Sequence, residues 1–140
     1  MDSIKLNYTV PGDDFTRAGA ASSDVKRTLK ELGISPTVIR NVSIAMYEGE
    51  INMVIHAGGG NIDVEITENE IIMTLADHGP GIENLDLAMK EGYSTAPDNI
   101  RSLGFGAGMG LPNIKKYTDD FRIDTKVGEG TTLHLKVYIS

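Results

Sequence analysis

Three stretches of the chain carry residue types suited to chemistry: Glu48-x-x-x-Asn52-x-x-x-His56, Asp77-x-Gly79-x-Gly81 and Gly104-x-Gly106-x-Gly108-x-Gly110. The first spaces an acid, an amide and an imidazole at i, i+4 and i+8. On a helix each step drifts by about 40°, so the three line one stripe over roughly 12 Å. An Asn carbonyl is a neutral oxygen ligand of the kind Mg²⁺ takes beside phosphate and water. A Glu one turn earlier could take the proton of an attacking hydroxyl or water. An ordinary solvated helix face displays the same stripe.

The second stretch sets a carboxylate where a strand ends. Asp77 can accept from an exocyclic amine such as adenine offers, and Gly79 and Gly81 let the backbone turn beside a flat ligand. A plain turn with an Asp cap reads the same way. His78 reads most simply as a solvent-facing turn residue, and His134 as a structural one on a strand.

The third stretch is the most unusual. Its four glycines at alternate positions carry a heavy entropic cost, and a helix follows at once. Consecutive free N–H groups there suit an anion, helped by the helix dipole. The dinucleotide fingerprint does not fit, because its third glycine place falls on Met109 or Leu111. G-x-x-x-x-G-K-[ST] is absent, as are His-Arg-Asp and Asp-Phe-Gly, which excludes a P-loop and a eukaryotic-type protein kinase. The three stretches together suit an ATP site of another kind.

The elements that must position these residues can be read along the chain. Residues 5–10 alternate weakly and end at Pro11-Gly12, a first strand. A helix is expected over 15–32, with Asp13 or Asp14 as cap and Gly33 as its end. Ser35-Pro36 opens a second helix that runs to about Ala57 and stops at Gly58-Gly59-Gly60. Ile62, Val64 and Ile66 begin a hairpin whose second strand carries Ile71, Met73 and Leu75 and ends at Asp77. A short helix is expected over 84–90, then a long polar loop over 92–105. A helix near Met109–Tyr117 and a closing hairpin around Gly128-Glu129-Gly130 complete the chain. Strands that arrive as hairpins predict an α+β two-layer sandwich, with a mixed, mostly antiparallel sheet and helices on one face.

Bulk composition agrees with an ordinary globular protein. The chain has 140 residues, 40% hydrophobic and 24% charged, which predicts one domain over 1–140. A net charge of −7 argues against nucleic acid or an anionic membrane as the main partner. It leaves room for a small phosphate ligand held by backbone N–H groups and a bound cation. Cysteine is absent, which rules out disulfides and thiolate metal sites. No leader-like segment or membrane-length apolar run is visible, so a cytoplasmic location is expected.

In their order and spacing, these motifs resemble the GHKL ATP-binding (Bergerat) fold shared by gyrase-type ATPases, a heat-shock chaperone, MutL and the histidine kinases. The resemblance covers about 36–138. Glu48-x-x-x-Asn52 looks like the N-box, Asp77-x-Gly79-x-Gly81 like the first glycine box and Gly104–Gly110 like the second. Gly128-Glu129-Gly130-Thr131 looks like the closing motif. Within that family the chain is most similar to the bacterial anti-sigma factors and switch serine kinases. His56, four residues after the N-box Asn, fits their pattern, as do Glu91–Thr95 and the Gly-Leu-Pro-Asn-Ile run at 110–114.

The resemblance implies an ATP (ADP) and Mg²⁺ site. Asn52 would hold the metal and Glu48 would be the catalytic base. Asp77 would bind the adenine amine, Gly79 and Gly81 would shape its pocket, and Thr131 would support that end. His56 would lie in the same pocket. Gly104, Gly106, Gly108 and the backbone at Met109, Gly110 and Leu111 would hold phosphates, and Arg101 would approach the γ-phosphate. The implied activity is a serine/threonine-protein kinase acting on a small anti-anti-sigma-like (STAS-type) protein. The alternative is a nucleotide-dependent anti-sigma factor or partner-binding module with little kinase activity. A sigma factor or other regulator is a further implied partner, and a homodimer is compatible. The chain departs from the pattern at Tyr47, Gly49 and Glu50. A glycine inside a helix costs on the order of 1 kcal/mol, and Glu50 would point about 200° away from Glu48.

Overall fold

A computed structural model describes residues 3–12, 17–84, 89 and 110–139 of the protein. Its described elements are β1 (Ile4–Pro11), α1 (Ala20–Glu31), α2 (Pro36–Ala57), β2 (Gly59–Ile66), β3 (Glu70–Ala76), α3 (Gly110–Lys116), β4 (Asp120–Lys126) and β5 (Gly130–Tyr138). The helix expected over 84–90 and the loop over 92–105 fall outside the described residues, apart from Asn84 and Met89.

The long helix α2 has the ends its sequence dictates. Ser35 sits in extended backbone and its hydroxyl accepts from the Val38 N–H at 3.4 Å, with Pro36 at the first helical position. Gly58 ends the helix in the left-handed region, with φ 69°, and its N–H bonds to Met53 O. α1 closes on Gly33, where the Ile34 N–H returns to Leu29 O and the Gly33 N–H to Lys30 O. Its start differs from expectation. The helix opens at Ala20 behind Gly19, and Asp13 and Asp14 lie outside the described residues.

The five strands form one sheet in the order β1-β2-β3-β5-β4. Every described pairing is antiparallel, the antiparallel limit of the expected sheet. β5 inserts between β3 and β4, with Thr74 facing His134 and Arg122 facing the same His134 from the other side. One face carries Ile62, Val64, Ile71, Met73, Leu75 and Leu135, all buried under the helices. Burying each such side chain contributes about 1.5–3 kcal/mol.

α2 lies over this face and touches four of the five strands as well as α1 and α3. Its interior glycine makes that approach possible. A Cβ at Gly49 would stand 2.5 Å from Leu75 Cδ2. The sequence presents Gly49 as a defect in a helix; in the fold it is the contact point between α2 and β3.

Candidate nucleotide site

The loop after β3 is held from two sides. Asp77 donates its N–H to Thr131 O at 2.9 Å. Its Oδ1 accepts the Gly79 and Thr131 N–H groups, both at 3.0 Å. The carboxylate is therefore fixed in orientation by β5 and by its own turn. Further along, the Gly128 N–H bonds to Pro80 O at 2.9 Å. The Ile82 N–H donates to Thr125 Oγ1 at 2.9 Å, and Thr125 Oγ1 lies 2.8 Å from Thr131 Oγ1.

The glycines of this loop have steric reasons. A Cβ at Gly79 would meet Ala57 Cβ at 2.6 Å, so the turn presses on the last turn of α2. Gly81 has φ 78°, and a Cβ there would stand 2.5 Å from Lys126 O. Gly130, with φ 131°, would put a Cβ 2.2 Å from Asp77 O. The loop is thus wedged between α2 and the β4–β5 hairpin.

α2 supplies the other wall. Glu48, Asn52 and His56 follow one another along it, each half-buried. Burial pushes the Glu48 carboxyl above its ordinary value, while a hydrogen bond from the Asn113 side chain pulls it back in part. His56 lies near enough to Asp77 to feel its charge, but burial dominates and holds the imidazole below its ordinary range. At neutral pH that leaves the ring uncharged.

α3 closes against this ridge. A Cβ on Gly110 would stand 3.1 Å from both Nδ2 and Oδ1 of Asn52, so the missing side chain admits the amide. Leu111 and Ile114 are buried and anchor the helix in the core. Leu111 can therefore offer a ligand its backbone, not its side chain.

The structure brings together Glu48, Asn52, His56, Asp77, Gly79, Gly81, Gly110, Leu111 and Thr131, on α2, the β3 loop, α3 and β5. Arg101, Gly104, Gly106, Gly108 and Met109 lie outside the described residues. Among the described residues no group of three His, Cys, Asp or Glu side chains could hold a metal ion. An Mg²⁺ held by one amide oxygen with phosphate and water fits that donor set, because this ion keeps most of its water and binds few protein groups.

Three contributors were not assigned from the sequence. Thr125 stitches the loop to the hairpin, but a strand Thr carries no local signal of that role. Asn113 belongs to the Gly-Leu-Pro-Asn-Ile run, three residues past Gly110, where i, i+3 spacing puts it on the same helix face. Glu50 points away from Glu48 as expected, and the fold gives it a separate task, capping α1.

Comparison with known proteins gives a consistent picture. The profile of the family described as "Histidine kinase-like ATPase domain" matches residues 13–137. An anti-sigma F factor of Priestia megaterium is 32% identical over 145 aligned residues, which take in 99% of the chain and 92% of that relative. The serine/threonine-protein kinase RsbT of Bacillus subtilis is 30% identical over 112 residues, 77% of the chain and 78% of the kinase. Among solved structures, the RsbU and RsbW domains of a Mycobacterium tuberculosis protein share the fold with TM-score 0.61 at 17% identity, over 96% of the chain and 32% of that longer one.

Proposed function

The chain belongs to the histidine kinase-like ATPase domain family, in the branch of the anti-sigma factors and their serine/threonine-protein kinases, and from that membership we propose that it transfers the γ-phosphoryl of ATP to a Ser or Thr of a small STAS-type antagonist or scaffold protein. The observation that carries this reading is the Glu48 ridge. An acid held half-buried, with its proton affinity raised by burial, stands one helical turn from the amide of Asn52 at the α3 contact.

In this reading Asp77 takes the adenine amine on Oδ2, since the described bonds fall on Oδ1. Gly79 and Gly81 keep the loop flat beside the ring, and Thr131 backs Asp77. His56, uncharged, lines the same end. The phosphates would fall to the backbone at Met109, Gly110 and Leu111 and to Gly104, Gly106, Gly108 and Arg101, the role that the family resemblance implies for them. Asn52 would hold Mg²⁺, which would supply charge neutralisation to the phosphates. The acceptor hydroxyl oxygen bonds to the γ-phosphorus as the bond to the β–γ bridging oxygen breaks. Its proton passes to Glu48, and ADP leaves. Catalysis of this kind rests mainly on positioning and electrostatics.

The name anti-sigma F factor among the relatives supports keeping a second reading, in which the chain is a nucleotide-dependent anti-sigma factor or partner-binding module that sequesters a sigma factor or other regulator and transfers little phosphate. A homodimer and a cytoplasmic location suit both readings. No described helix is long and apolar enough to cross a membrane.

The test is transfer itself. Wild type and Glu48→Gln are incubated with labelled ATP, Mg²⁺ and the STAS-type protein encoded nearest to this chain. Label on a Ser or Thr of the acceptor, reduced about 10²–10⁴-fold by Glu48→Gln at unchanged ATP affinity, is the expected result. ATP binding without label on the acceptor selects the second reading.

A further inference from the structure

α3 runs back along α2. Its first residue, Gly110, meets Asn52. Tyr117, just past its end, meets Arg40, about three turns nearer the start of α2. Two cations share the Tyr117 ring: Arg40 Cζ lies 5.8 Å from its centroid and Lys116 Nζ 5.4 Å. The ring attracts each of them, but they repel one another. Arg40 and Lys116 are exposed, and Tyr117 is half-buried between them and the protein. The α3 dipole accounts for Lys116, since Lys115 and Lys116 stand in its last turn. It does not account for Arg40. That residue stands near the start of α2, the end at which a dipole favours acids, and the first turn there holds none.

Among the described residues no acid pairs with Arg40 or Lys116; the ion pairs there engage Arg27, Arg122, Lys126 and His134. The acids that follow Tyr117 are turned elsewhere. Asp119 Oδ2 accepts the Tyr138 N–H at 2.7 Å, and Asp120 Oδ2 accepts the Tyr138 hydroxyl. In a chain of net charge −7, an exposed positive spot without its own acid fits an anionic partner. Its place says which one. With adenine at Asp77, metal at Asn52 and base at Glu48, the attacking oxygen arrives opposite the leaving ADP, from the Arg40 end of α2. Arg40 precedes Glu48 by eight residues, about 12 Å along the helix, and its guanidinium is turned to Tyr117. That position is beside the incoming protein, not on the nucleotide. We propose that Arg40 and Lys116, held on the Tyr117 ring, dock an acidic surface of the acceptor protein and so bring its hydroxyl up to Glu48. The direction of approach and the identity of the partner rest on the kinase reading.

The probe is the STAS-type protein encoded nearest to this chain. Wild type is compared with Arg40→Gln, Lys116→Gln and the double reversal Arg40→Glu with Lys116→Glu. A second double reversal, Lys26→Glu with Lys30→Glu on the exposed side of α1, changes the net charge equally and leaves the patch intact. Affinity for the probe is measured by calorimetry with a non-hydrolysable ATP analogue bound, at low and high salt. ATP affinity is measured alone, and kcat and acceptor KM in the transfer assay.

The expected result is a rise in probe Kd and acceptor KM of about two- to fivefold for each single variant, and of more than about tenfold for the Arg40 and Lys116 reversal. ATP affinity and kcat stay within about twofold of wild type, because neither residue touches nucleotide or reacting atoms. Salt weakens wild-type binding and ceases to weaken that of the reversed variant. Wild-type probe affinity in the Arg40 and Lys116 reversal overturns the proposal while leaving the kinase reading intact. An equal loss in the Lys26 and Lys30 reversal also overturns it, since net charge then explains the effect. Lost ATP affinity in the Arg40 and Lys116 reversal overturns it too, by assigning the patch to the nucleotide. Patch-dependent binding without transfer by wild type keeps the docking surface and overturns the kinase reading alone. A wild type that neither binds nor labels the probe overturns both.

Discussion

Glu50 Oε2 on α2 accepts the backbone N–H of Gly19 at 2.9 Å, and through it the second long helix caps the first. The same carboxylate takes the Ala21 and Ser22 N–H groups at 3.2 and 3.0 Å and the Ser22 hydroxyl at 2.6 Å. Gly19 has no side chain to cap with and occupies the left-handed region at φ 98°. A buried acid from elsewhere in the chain thus does what Ser35 does at the start of α2, and the positive end of the α1 dipole faces it.

Removing that acid strands several buried donors at once. Glu50 is only 2% exposed, so water cannot replace it. Glu50→Ala is expected to lower unfolding stability by on the order of 3 kcal/mol. Glu50→Gln, which keeps one acceptor oxygen, should cost roughly half as much. Urea unfolding with an unchanged m-value measures both. A Glu50→Ala loss below that of an ordinary surface substitution would show the cap to be dispensable.

The contrast between the two helix starts explains what could be read ahead of the structure. Ser35, Pro36 and Gly58 act on their own neighbours, so α2 was bounded within a residue. The alternation of Ile62, Val64 and Ile66 likewise marks a buried face from local pattern alone. The Glu50 cap is different, because its partners are backbone N–H groups of a distant segment, and those carry no residue signature. The strand order is of the same kind. Nothing in the residues of β5 says that it pairs with β3 as well as β4. At the site, Glu48, Asn52, Asp77 and Gly79 stand out by type and spacing. Asn113 and Thr125 do not, since they act by reaching a partner on another element.

Gly49 supplies a second prediction. Replacing a helix-interior glycine with alanine favours the helix by about 1 kcal/mol. Here the new methyl would stand 2.5 Å from Leu75 Cδ2, on a side chain that is itself buried. Overpacking of this kind costs about 1–3 kcal/mol, so Gly49→Ala is expected to lower the thermal midpoint despite the better propensity. Adding Leu75→Val, which withdraws the clashing atoms, should restore part of the loss. A Gly49→Ala protein with a raised midpoint would mean that α2 and β3 are less closely packed than described.

The Glu48 carboxyl gives a pH signature whose sign follows from burial. Its value lies above the ordinary 4.5 because burial outweighs the Asn113 hydrogen bond. A base must be ionised, so the transfer rate should fall as pH drops through a value higher than that of an exposed glutamate. A pH profile of kcat/KM measures it. His56, held below its ordinary value by burial, is not the base in this reading, so the limb is expected to survive His56→Asn. Stability carries the opposite mark. A carboxyl that holds its proton more tightly folded than unfolded weakens the fold when ionised, fully above the folded value and not at all below the unfolded one. Glu48→Gln should therefore be more stable than wild type at neutral pH, with the difference shrinking as pH falls toward 4.5. A mutant less stable than wild type at neutral pH would remove the case for an acid kept under strain for catalysis.

Gly110 and Asn52 test the metal end without touching the base. A Cβ at Gly110 would stand 3.1 Å from the Asn52 amide, close enough that the amide must give by a few tenths of an ångström. Alanine is otherwise favourable in a helix, so Gly110→Ala should leave stability unchanged or slightly raised while displacing the amide. If Asn52 is the one protein oxygen on Mg²⁺, Asn52→Ala should abolish the magnesium dependence of ATP affinity. Gly110→Ala should weaken that dependence by a smaller factor, about three- to tenfold by analogy with the 10–100-fold cost of disturbing a ligand's supporting contacts. Calorimetric ATP titrations with and without Mg²⁺ separate the cases. ATP binding that keeps its full magnesium dependence in Asn52→Ala moves the metal ligand elsewhere. Loss in Asn52→Ala with none in Gly110→Ala would mean that the amide can hold the ion without the close approach of α3.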